Sequence, residues 1–412
     1  MSGFSIPLSG LAATSSSLNV IANNLANLNT DGYKDQSLSF GSVFNEVQGT
    51  SGNGDPIQIG GGVQTDSTIS NFANGGVNST GIASNMALQG DGFFVVKNAN
   101  GTEYTRNGNF TVNAQGQIAD AQGQLVMGYP SVNGQIQTSS VLSPITVTDS
   151  SVFPANQSTQ FQMTTNLNAN STVGTVYSAP MTVYDSLGNS HNLTINYTNT
   201  AANAWTYQIT IPAADLGGTG APVQVATGNM TFGTNGALTA PTGTVPGVAI
   251  AGLADGAANM NLTWNLNGSG GSPTITQEAA TSATTASTQD GYSAGSLTGY
   301  SILSDGTVQG QFSNNQTLVL GQVAVASFAN NQGLTKVTGG NYQASFASGT
   351  PILGQAGVGG NGTITGGAVE GSNVNLSTEF ANMIVAQQAY EANAKVLTTL
   401  NQVSQATLQV IQ

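Results

Sequence analysis

The residue with the most chemical potential in this chain is its single histidine, His191, which follows shortly after Asp185. An imidazole and a carboxylate could together begin a transition-metal site. Such a site needs about three or four ligands, however, and neither an HxH nor an HExxH spacing can be made with one histidine. The pattern therefore favours a histidine in a strand or turn whose ring nitrogens are satisfied by the backbone.

Other residue types that carry chemistry are scarce or scattered. The chain has no cysteine, so it offers no thiolate nucleophile, no disulfide framework and no Cys-based metal site. The segment from Asp120 to Gly123 resembles half of a calcium loop, but it lacks the run of carboxylates and the closing Glu. A Ser–His–Asp triad is formally possible among so many serines, yet no convergent acid–base pair stands out. We expect no catalytic residue, no cofactor and no metal ligand.

Charge is the most unusual feature of the composition. Charged residues make up 6% of the 412 residues, where about 25% is usual, so the surface must consist largely of Asn, Thr, Ser, Gln and Gly. Five Lys and Arg stand against 18 Asp and Glu, which gives a net charge of −13. Binding to nucleic acid or to an anionic membrane surface requires clustered cations. The cations are instead dispersed along the chain: Lys34, Lys97, Arg106, Lys336 and Lys395.

The same properties limit where the protein acts. We expect no nucleic-acid partner, and no membrane insertion, because no apolar run reaches the roughly 18 residues that a membrane span needs. The first residues lack the positive segment and the apolar stretch of a secretory signal. If the protein leaves the cell, we expect it to use a route that does not read a cleavable signal.

An amphipathic helix is predicted near the amino terminus, over residues 11–28. Its apolar residues recur at heptad-like spacing, and they are Leu11, Leu18, Ile21, Leu25 and Leu28. Pro7 lies just before this row, where a helix start tolerates proline. Gly32, a few residues after the row, can adopt the left-handed conformation that ends a helix.

A longer helix is predicted over residues 376–411, which contain neither Gly nor Pro. One apolar row follows the 3–4 spacing of a helix and includes Leu376, Phe380, Met383, Tyr390, Leu397, Leu408 and Ile411. A second row runs beside it through Ile384, Val396, Leu400, Val403 and Val410. Ser377 is the predicted N-cap.

The two helices need partners, because a helix with one apolar face and few charged pairs is not stable alone in water. A helical hairpin that closes a monomeric fold is one interpretation. The carboxy-terminal helix is about twice as long as the other, however, which leaves roughly half of its apolar surface uncovered. That remainder is expected to contact other copies of the chain.

Between the helices the sequence has β patterns. Phe93 to Val96 predict a buried strand, and residues 103–106 and 110–112 predict two more, joined by a turn at Asn107 and Gly108. Two alternating rows predict an amphipathic hairpin closed by residues 199–203: Leu193, Ile195 and Tyr197, then Trp205, Tyr207, Ile209 and Ile211. Residues 322–328 predict a further strand. Glycine-dense stretches at 49–62 and 349–371 indicate boundaries just inside the helices.

Two segments then resemble the signatures of the bacterial flagellar rod and hook axial proteins. The first lies in residues 23–34 and contains Asn23, Asn24, Asn27, Asn29, Gly32, Tyr33 and Lys34. The second lies in residues 370–395 and contains Gln387, Ala389, Tyr390, Asn393 and Lys395. This family usually has Arg at the position of Gln388 and Asp at that of Asn375, so salt bridges at those two positions are not implied. Glu379, Glu391 and Lys395 remain candidates for ordinary surface pairs.

Internal segments narrow the resemblance to the hook members of the family. Residues 89–96 and 104–110 resemble both rod and hook members, whereas 183–191 and 289–299 resemble hook members alone. Rod members are much shorter and lack the inserted stretch.

The resemblance implies a fold that is mainly β with α-helical termini, organised as a nested multidomain axial subunit. The predicted domains are a terminal helical coiled coil (1–29 and 372–412), a connecting segment (30–70 and 350–371), a β domain (71–145 and 286–349) and an inserted outer β domain (146–285). The helices are expected to form an inner tube and the β domains its outer layers.

The function implied by the resemblance is structural. The chain would polymerise into the flagellar hook, a curved flexible tube that acts as a universal joint and transmits torque from rod to filament. Its expected partners are other copies of itself, the rod, the hook cap, the hook-length control and hook–filament junction proteins, and the type III export apparatus. Its expected location is extracellular, after export without a cleaved signal. A distal rod subunit and an exported β-rich adhesin are the alternatives.

Overall fold

The computed structural model describes residues 2–43, 46–52, 56–148, 152–268 and 270–410. Across these residues the chain is mostly β, with one long α-helix at each end. This arrangement confirms the predicted fold class.

Two long helices enclose a succession of strands along the chain. The helices are α1 (Ser2–Ala26) and α2 (Leu376–Val410), with short 3-10 helices at Ala213–Leu216, Asn331–Gly333 and Thr338–Gly340. The first strands are β1 (Gln36–Ser42), β2 (Glu46–Thr50), β3 (Pro56–Ile59), β4 (Val63–Ser70), β5 (Val77–Ser79), β6 (Met86–Gln89), β7 (Phe93–Asn98), β8 (Gly101–Thr105), β9 (Thr111–Val112), β10 (Ile118–Ala119), β11 (Leu125–Val132), β12 (Gln135–Ile136) and β13 (Ser143–Pro144). The next are β14 (Val152–Phe153), β15 (Gln160–Asn168), β16 (Val176–Tyr184), β17 (Ser190–Ala201), β18 (Ala204–Ile211), β19 (Val223–Phe232), β20 (Leu238–Ala240), β21 (Thr244–Ile250), β22 (Met260–Asn265), β23 (Ile275–Glu278) and β24 (Ala283–Gln289). The last are β25 (Gly295–Ile302), β26 (Thr307–Phe312), β27 (Thr317–Ser327), β28 (Thr335–Lys336), β29 (Asn341–Gln343), β30 (Ile352–Gln355), β31 (Thr363–Gly366) and β32 (Ala368–Glu370).

Helix α1 begins earlier than predicted and encloses Pro7 in its second turn. Pro7 is buried there, so its ring contributes packing, and its fixed φ is compatible with the helix. The predicted start after Pro7 was therefore wrong. The helix ends at Ala26, which leaves Leu28 in the turn that follows. Gly32 adopts a φ of +69°, as predicted. A Cβ on Gly32 would also lie 2.5 Å from the carbonyl carbon of Arg106.

Helix α2 begins at Leu376 as predicted and extends through Val410, the last residue that the structure describes. Its N-cap is Asn375 and not Ser377. The Asn375 Oδ1 accepts hydrogen bonds from the backbone N–H of Ser377 and of Thr378, at 3.0 and 3.1 Å. Asn is among the best N-cap residues because its side chain reaches these free N–H groups. Ile411 lies outside the described residues.

The chain folds into two compact units. The first combines Met1–Asp149, Gly299–Gln311 and Thr317–Gln412, and the second combines Ser150–Thr298 with Phe312–Gln316.

The first unit contains both helices and an antiparallel sheet that includes β26, β27, β11, β7, β8, β29 and β28 in that order. Strand β7 is apolar at four successive positions because both of its faces are buried. Phe94 and Val96 enter one buried cluster, while Phe93 and Val95 enter another. Because successive side chains of a strand point to opposite faces, this sheet is buried on both faces. The predicted buried strand at Phe93–Val96 is confirmed.

The predicted turn at Asn107 and Gly108 is not a hairpin. Strand β8 pairs with β7 and β29, whereas β9 pairs with β10. Residues 107–110 instead run beside the start of β6, where the Met86 N–H donates to the Gly108 carbonyl at 3.0 Å. A Cβ on Gly108 would collide with the Met86 carbonyl oxygen, so the glycine is required for close approach and not for a tight turn.

The second unit is built from two sheets around one core. One sheet has the order β16-β17-β18-β19-β20, and the other has β21-β22-β15-β23, with β24 also paired to β15. The predicted hairpin is confirmed as β17 and β18, with Tyr197 opposite Tyr207. Side chains from both sheets form a single buried cluster. Within it, Trp264 stacks on Phe161 with ring centroids 5.7 Å apart and meets Tyr207 edge-on at 5.2 Å.

Candidate assembly surface at the chain termini

Helices α1 and α2 pack against each other in antiparallel directions. Gly10 of α1 faces Asn393 of α2, so closely that a Cβ on Gly10 would lie 2.8 Å from the Asn393 Oδ1. Toward the other end of α1, Ile21 lines a groove of about 410 Å³ together with Glu379 and Ala386 of α2. Because Gly10 has no side chain, the two helices approach closely at this point.

The face of α2 that α1 covers is not the apolar row that the sequence indicated. Glu379 and Ala386 are buried, and Asn393 is half-buried. Their spacing of seven residues places them on one side of the helix. Leu376, Phe380 and Ile384 lie on one flank of that side, and Val385, Val396 and Val403 lie on the other.

The flanking residues are exposed to a degree that is unusual for large apolar side chains. Their exposed fractions are 41% for Leu376, 47% for Phe380, 55% for Ile384, 66% for Val385, 50% for Val396 and 56% for Val403. We call Leu376, Phe380 and Ile384 the first strip, and Val385, Val396 and Val403 the second strip. Within the described part of the chain, the helix pair thus leaves two apolar strips without cover.

The last part of α2 extends beyond α1. Because Gly10 is level with Asn393, the start of α1 is level with about residue 401 at the regular rise of an α-helix. All side chains of residues 401–409 are exposed. Leu408, with 63% of its surface exposed, belongs to this free end.

Signature residues in the last turn of α1 and just after it hold the helix to the chain that follows it. Asn24 is buried, and its Nδ2 donates to the Gln36 carbonyl at 2.8 Å while its Oδ1 accepts from the Gln36 N–H at 3.0 Å. The Tyr33 hydroxyl donates to the same Oδ1 at 3.1 Å and accepts from Asn23 Nδ2 at 3.0 Å. Burial, followed by the nearby charges of Asp35 and Glu379, raises the pKa of Tyr33 to about 12. The hydroxyl therefore keeps its proton and its role as a donor.

A buried ion cluster joins the two ends of the chain. The Lys34 Nζ donates to the Glu370 Oε1 at 2.7 Å and to the Ala73 carbonyl at 2.8 Å. The Arg106 guanidinium lies 3.5 Å from the Glu370 Oε2 and donates to the Gly90 carbonyl at 2.7 Å. Burial lowers the pKa of Lys34 and that of Arg106, and the Glu370 carboxylate opposes both shifts.

Asn373 provides a second tie just before α2. Its Oδ1 accepts from the Asp35 N–H at 2.8 Å, and its Nδ2 donates to the carbonyls of Asn71 and Ala73 at 2.8 and 3.0 Å. Together with the Lys34–Glu370 ion pair, these three hydrogen bonds of Asn373 fix where α2 starts relative to where α1 ends. The rigid base of the helix pair is therefore built from residues of both signatures.

The predicted site residues within the described part of the chain, which excludes Ile411, fall into three groups. Ile21, Asn24, Gly32, Tyr33 and Lys34 are buried. Leu11, Leu18, Leu25, Asn27, Leu28, Met383, Ala389, Asn393, Leu397 and Leu400 are half-buried. Asn23, Asn29, Leu376, Phe380, Ile384, Gln387, Tyr390, Lys395 and Leu408 are exposed.

Glu379 differs from its expected place on the surface. It is 6% exposed, and its Oε2 is buried without a hydrogen-bond partner in the described part of the chain. Glu370, Arg106 and Asn373 had no predicted role. A weak signal existed for Arg106, because it is one of five Lys and Arg residues in the chain.

Among the described residues, neither helix has the length and apolar character required to cross a membrane. Three family models match separate stretches of the chain. The flagella basal body rod protein model matches residues 6–34, the flagellar basal body protein FlaE D2 domain matches 154–292, and the flagellar basal body rod FlgEFG protein C-terminal model matches 365–410. The first overlaps most of α1, the third covers α2, and the second covers most of the second unit.

Proteins of similar length match along nearly the whole chain. The flagellar hook protein FlgE of Salmonella typhimurium is 34% identical over 97% of this chain and 98% of its own. The corresponding values are 33%, 97% and 98% for FlgE of Escherichia coli, and 34%, 95% and 94% for FlgE of Rhizobium meliloti. A crystal structure of Helicobacter pylori flagellar hook protein FlgE2 aligns with a TM-score of 0.49 at 16% identity, over 70% of this chain and 98% of that one. On the identity and coverage of the sequence relatives, this chain belongs to the flagellar hook protein family.

Proposed function

We propose that this structural subunit of the flagellar hook polymerises through α1 and α2, so that copies of the helix pair build the inner wall of a tube. The observation that carries the proposal is the apolar surface that one chain leaves exposed on α2. The first strip, the second strip and the free end at residues 401–409 together present large apolar side chains along the whole helix. Exposed apolar rows of this extent are typical of surfaces that are covered by another protein.

The occupant that fits these strips best is another copy of the same chain. Both strips lie along one helix whose polar residues are nearly all uncharged; Glu391 and Lys395 are the charged residues among those exposed on α2. Packing of identical helices side by side buries apolar stripes of this kind without bringing like charges together. A head-to-tail arrangement of one such contact extends into a helical polymer when its rotation does not close.

We propose the domain roles as follows. Residues 1–29 and 372–412 form the inner wall, 30–70 and 350–371 connect it to the outside, and 71–145 with 286–349 and the inserted 146–285 form the outer layers. The low share of charged residues, 6%, gives these layers surfaces rich in uncharged polar groups. Many weak polar contacts allow neighbouring subunits to slide as a curved tube turns, which is the behaviour of a universal joint. A dry, apolar interface between the outer layers of neighbouring subunits would contradict this part of the proposal.

The proposed role is structural and involves no chemical reaction. It places the subunit outside the cell, exported without a cleaved signal by a type III apparatus, with the rod, the hook cap and the length-control and junction proteins as its neighbours. These assignments rest on membership of the hook family.

Removal of residues 401–412 tests the proposed polymerisation with little effect on the single chain. Residues 401–409 are exposed on every side, so the truncated chain is expected to lose only the helical circular dichroism of the removed turns and to keep the unfolding midpoint of the full chain. We expect the full chain to form short curved tubes at high concentration, seen by negative-stain electron microscopy, and the truncated chain to form none. Tubes of normal length and number from the truncated chain would refute the proposal.

A further inference from the structure

A cluster of three carboxylates surrounds the single histidine in the second unit. The His191 Nδ1 lies 2.9 Å from the Asp215 Oδ2, and its Nε2 lies 3.2 Å from the Asp185 Oδ2 and 3.6 Å from the Asp255 Oδ2. The sequence pairs His191 only with Asp185. The fold adds Asp215 from the 3-10 helix Ala213–Leu216 and Asp255 from the loop between β21 and β22.

Two of the carboxylates, those of Asp185 and Asp255, also accept hydrogen bonds from groups other than the histidine. The Asp185 Oδ1 accepts the backbone N–H groups of Leu187 and Asn189 at 2.8 and 2.9 Å, which leaves its Oδ2 directed at the ring. The Asn189 Nδ2 donates to both the Asp185 Oδ2 and the Asp255 Oδ2, at 3.2 and 3.0 Å. The oxygens that face His191 Nε2 are thus oriented before any ligand arrives.

The local charge favours a cation at this place. Residues 150–298 contain no Lys and no Arg, and three of their carboxylates converge on His191. If the Nδ1–H donates to Asp215, a neutral ring directs the lone pair of Nε2 at two carboxylate oxygens. These three electron-rich atoms repel one another. The Asn189 amide that bridges the two oxygens carries no charge to offset this, so a positive charge between the three atoms would stabilise the arrangement.

The spacing of these atoms fits a metal ion of the zinc type. Ligand atoms about 2.0–2.2 Å from a tetrahedral metal lie about 3.3–3.6 Å from one another. The Nε2–oxygen distances of 3.2 and 3.6 Å agree with this, and all three donor atoms lie within 4.8 Å of one another. An imidazole nitrogen among the donors favours a transition metal over Mg²⁺ or Ca²⁺.

Asp215 has the position of an outer partner. A histidine that binds a metal nearly always donates its other ring N–H to a carboxylate or carbonyl, which fixes the tautomer and the ring orientation. The Nδ1–Asp215 contact at 2.9 Å has this geometry. A histidine buried only for packing has no need of a carboxylate on each nitrogen.

We propose that Asp185, His191 and Asp255 bind a divalent transition metal, with Asp215 as the outer partner of His191. Bound metal would tie the loop between β21 and β22 to the start of β17, and so join the two sheets of the second unit. The proposal does not depend on how the chain polymerises.

The test is a titration of the dilute, full-length chain with Zn²⁺ and with Co²⁺. We expect one metal ion per chain, a visible Co²⁺ absorption of tetrahedral intensity, and a metal-dependent rise in the unfolding midpoint measured by Trp fluorescence. Both tryptophans, Trp205 and Trp264, lie in the core of the second unit, so this signal reports the unit that contains the site.

Three variants and one control make the result specific. Asp215→Asn is expected to weaken binding by about 10–100-fold, as for other outer partners, and Asp255→Asn and His191→Gln to weaken it further. Glu278→Gln removes an exposed carboxylate of the same unit and is expected to bind like the unchanged chain. Asp255 is exposed, so its variant folds even if the His191 variant does not. Absence of the Co²⁺ absorption, or equal binding by Asp255→Asn and the unchanged chain, would overturn the proposal and leave a protonated histidine as the cation of the cluster.

Discussion

Glu370→Gln is expected to lower the free energy of unfolding of the first unit by about 3–5 kcal/mol, the cost of removing one partner of a buried ion pair. Lys34 and Arg106 both contact this carboxylate, and the side chains of all three are no more than 2% exposed. An amide in its place can still accept a hydrogen bond from the Lys34 Nζ. The amide cannot compensate two buried positive charges. The variant therefore removes the negative charge while keeping nearly the same side-chain shape.

The measurement is denaturant unfolding followed by two probes. Helical circular dichroism reports the first unit, because α1 and α2 both belong to it, whereas Trp fluorescence reports the second. We expect the helical transition to move to a lower denaturant concentration by more than the Trp transition does. Glu391→Gln is the matched control, since Glu391 is exposed on α2, and surface changes of this kind alter stability by about 0.5 kcal/mol or less. A Glu370→Gln effect as small as that of the control would show that the cluster does not hold the base of the helix pair.

Ile384→Lys is expected to abolish tube formation and to leave the single chain stable. Ile384 is 55% exposed in one chain, so a lysine there meets water and the monomer's unfolding midpoint stays unchanged. In a polymer the same position would be covered. Burial of an isoleucine stabilises by about 1.5–3 kcal/mol, and an unpaired lysine in the contact adds a desolvation cost. The concentration needed for assembly should therefore rise by about 100-fold or more, since about 1.4 kcal/mol corresponds to tenfold.

The control for this variant is Gln388→Arg. Gln388 is exposed one turn after Ile384, and rod and hook proteins usually carry Arg at this position. The control adds the same charge to the same helix, so we expect it to assemble at a concentration close to that of the unchanged chain. Sedimentation over a series of protein concentrations measures, for both variants, the concentration at which tubes form. If Ile384→Lys pelleted like Gln388→Arg, the first strip would not be a contact surface.

Both helices could be predicted from sequence because a 3.6-residue apolar pattern is a local property. The prediction was most accurate for α2, which contains no Gly or Pro, whereas α1 encloses Pro7 and began earlier than predicted. The face of α2 that meets α1 could not be predicted from the sequence. The predicted row passes through Leu376 and Phe380, but α1 covers the side of Ala386 and Asn393. Gly10 opposite Asn393 lets the helices approach closely, and small or polar side chains fit between helices at such distances better than large apolar ones. The larger residues are displaced to the two strips.

The base of the helix pair shows a second limit of sequence reasoning. Lys34 and Glu370 are 336 positions apart, and a lysine and a glutamate without periodic context are normally placed on the surface. Their burial depends on β32, the segment between β4 and β5 that holds Ala73 and Gly75, and the turn after α1 meeting at one place. The cluster at His191 has the same origin, since Asp215 and Asp255 reach the ring only through the packing of the second unit's sheets. Local patterns predict elements, while these two clusters exist only in the assembled fold.

The most direct measurement of the central claim is thiol labelling of the two strips in single chains and in tubes. The chain has no cysteine, so Phe380→Cys and Val385→Cys each introduce one thiol, in the first and the second strip respectively. We predict that maleimide modifies both thiols rapidly in the dilute chain, that both lose most of their reactivity in assembled tubes, and that reactivity returns when the tubes are dissolved. Equal labelling rates in single chains and in tubes, at both positions, would contradict the claim that the exposed strips of α2 are the surfaces through which the subunit assembles.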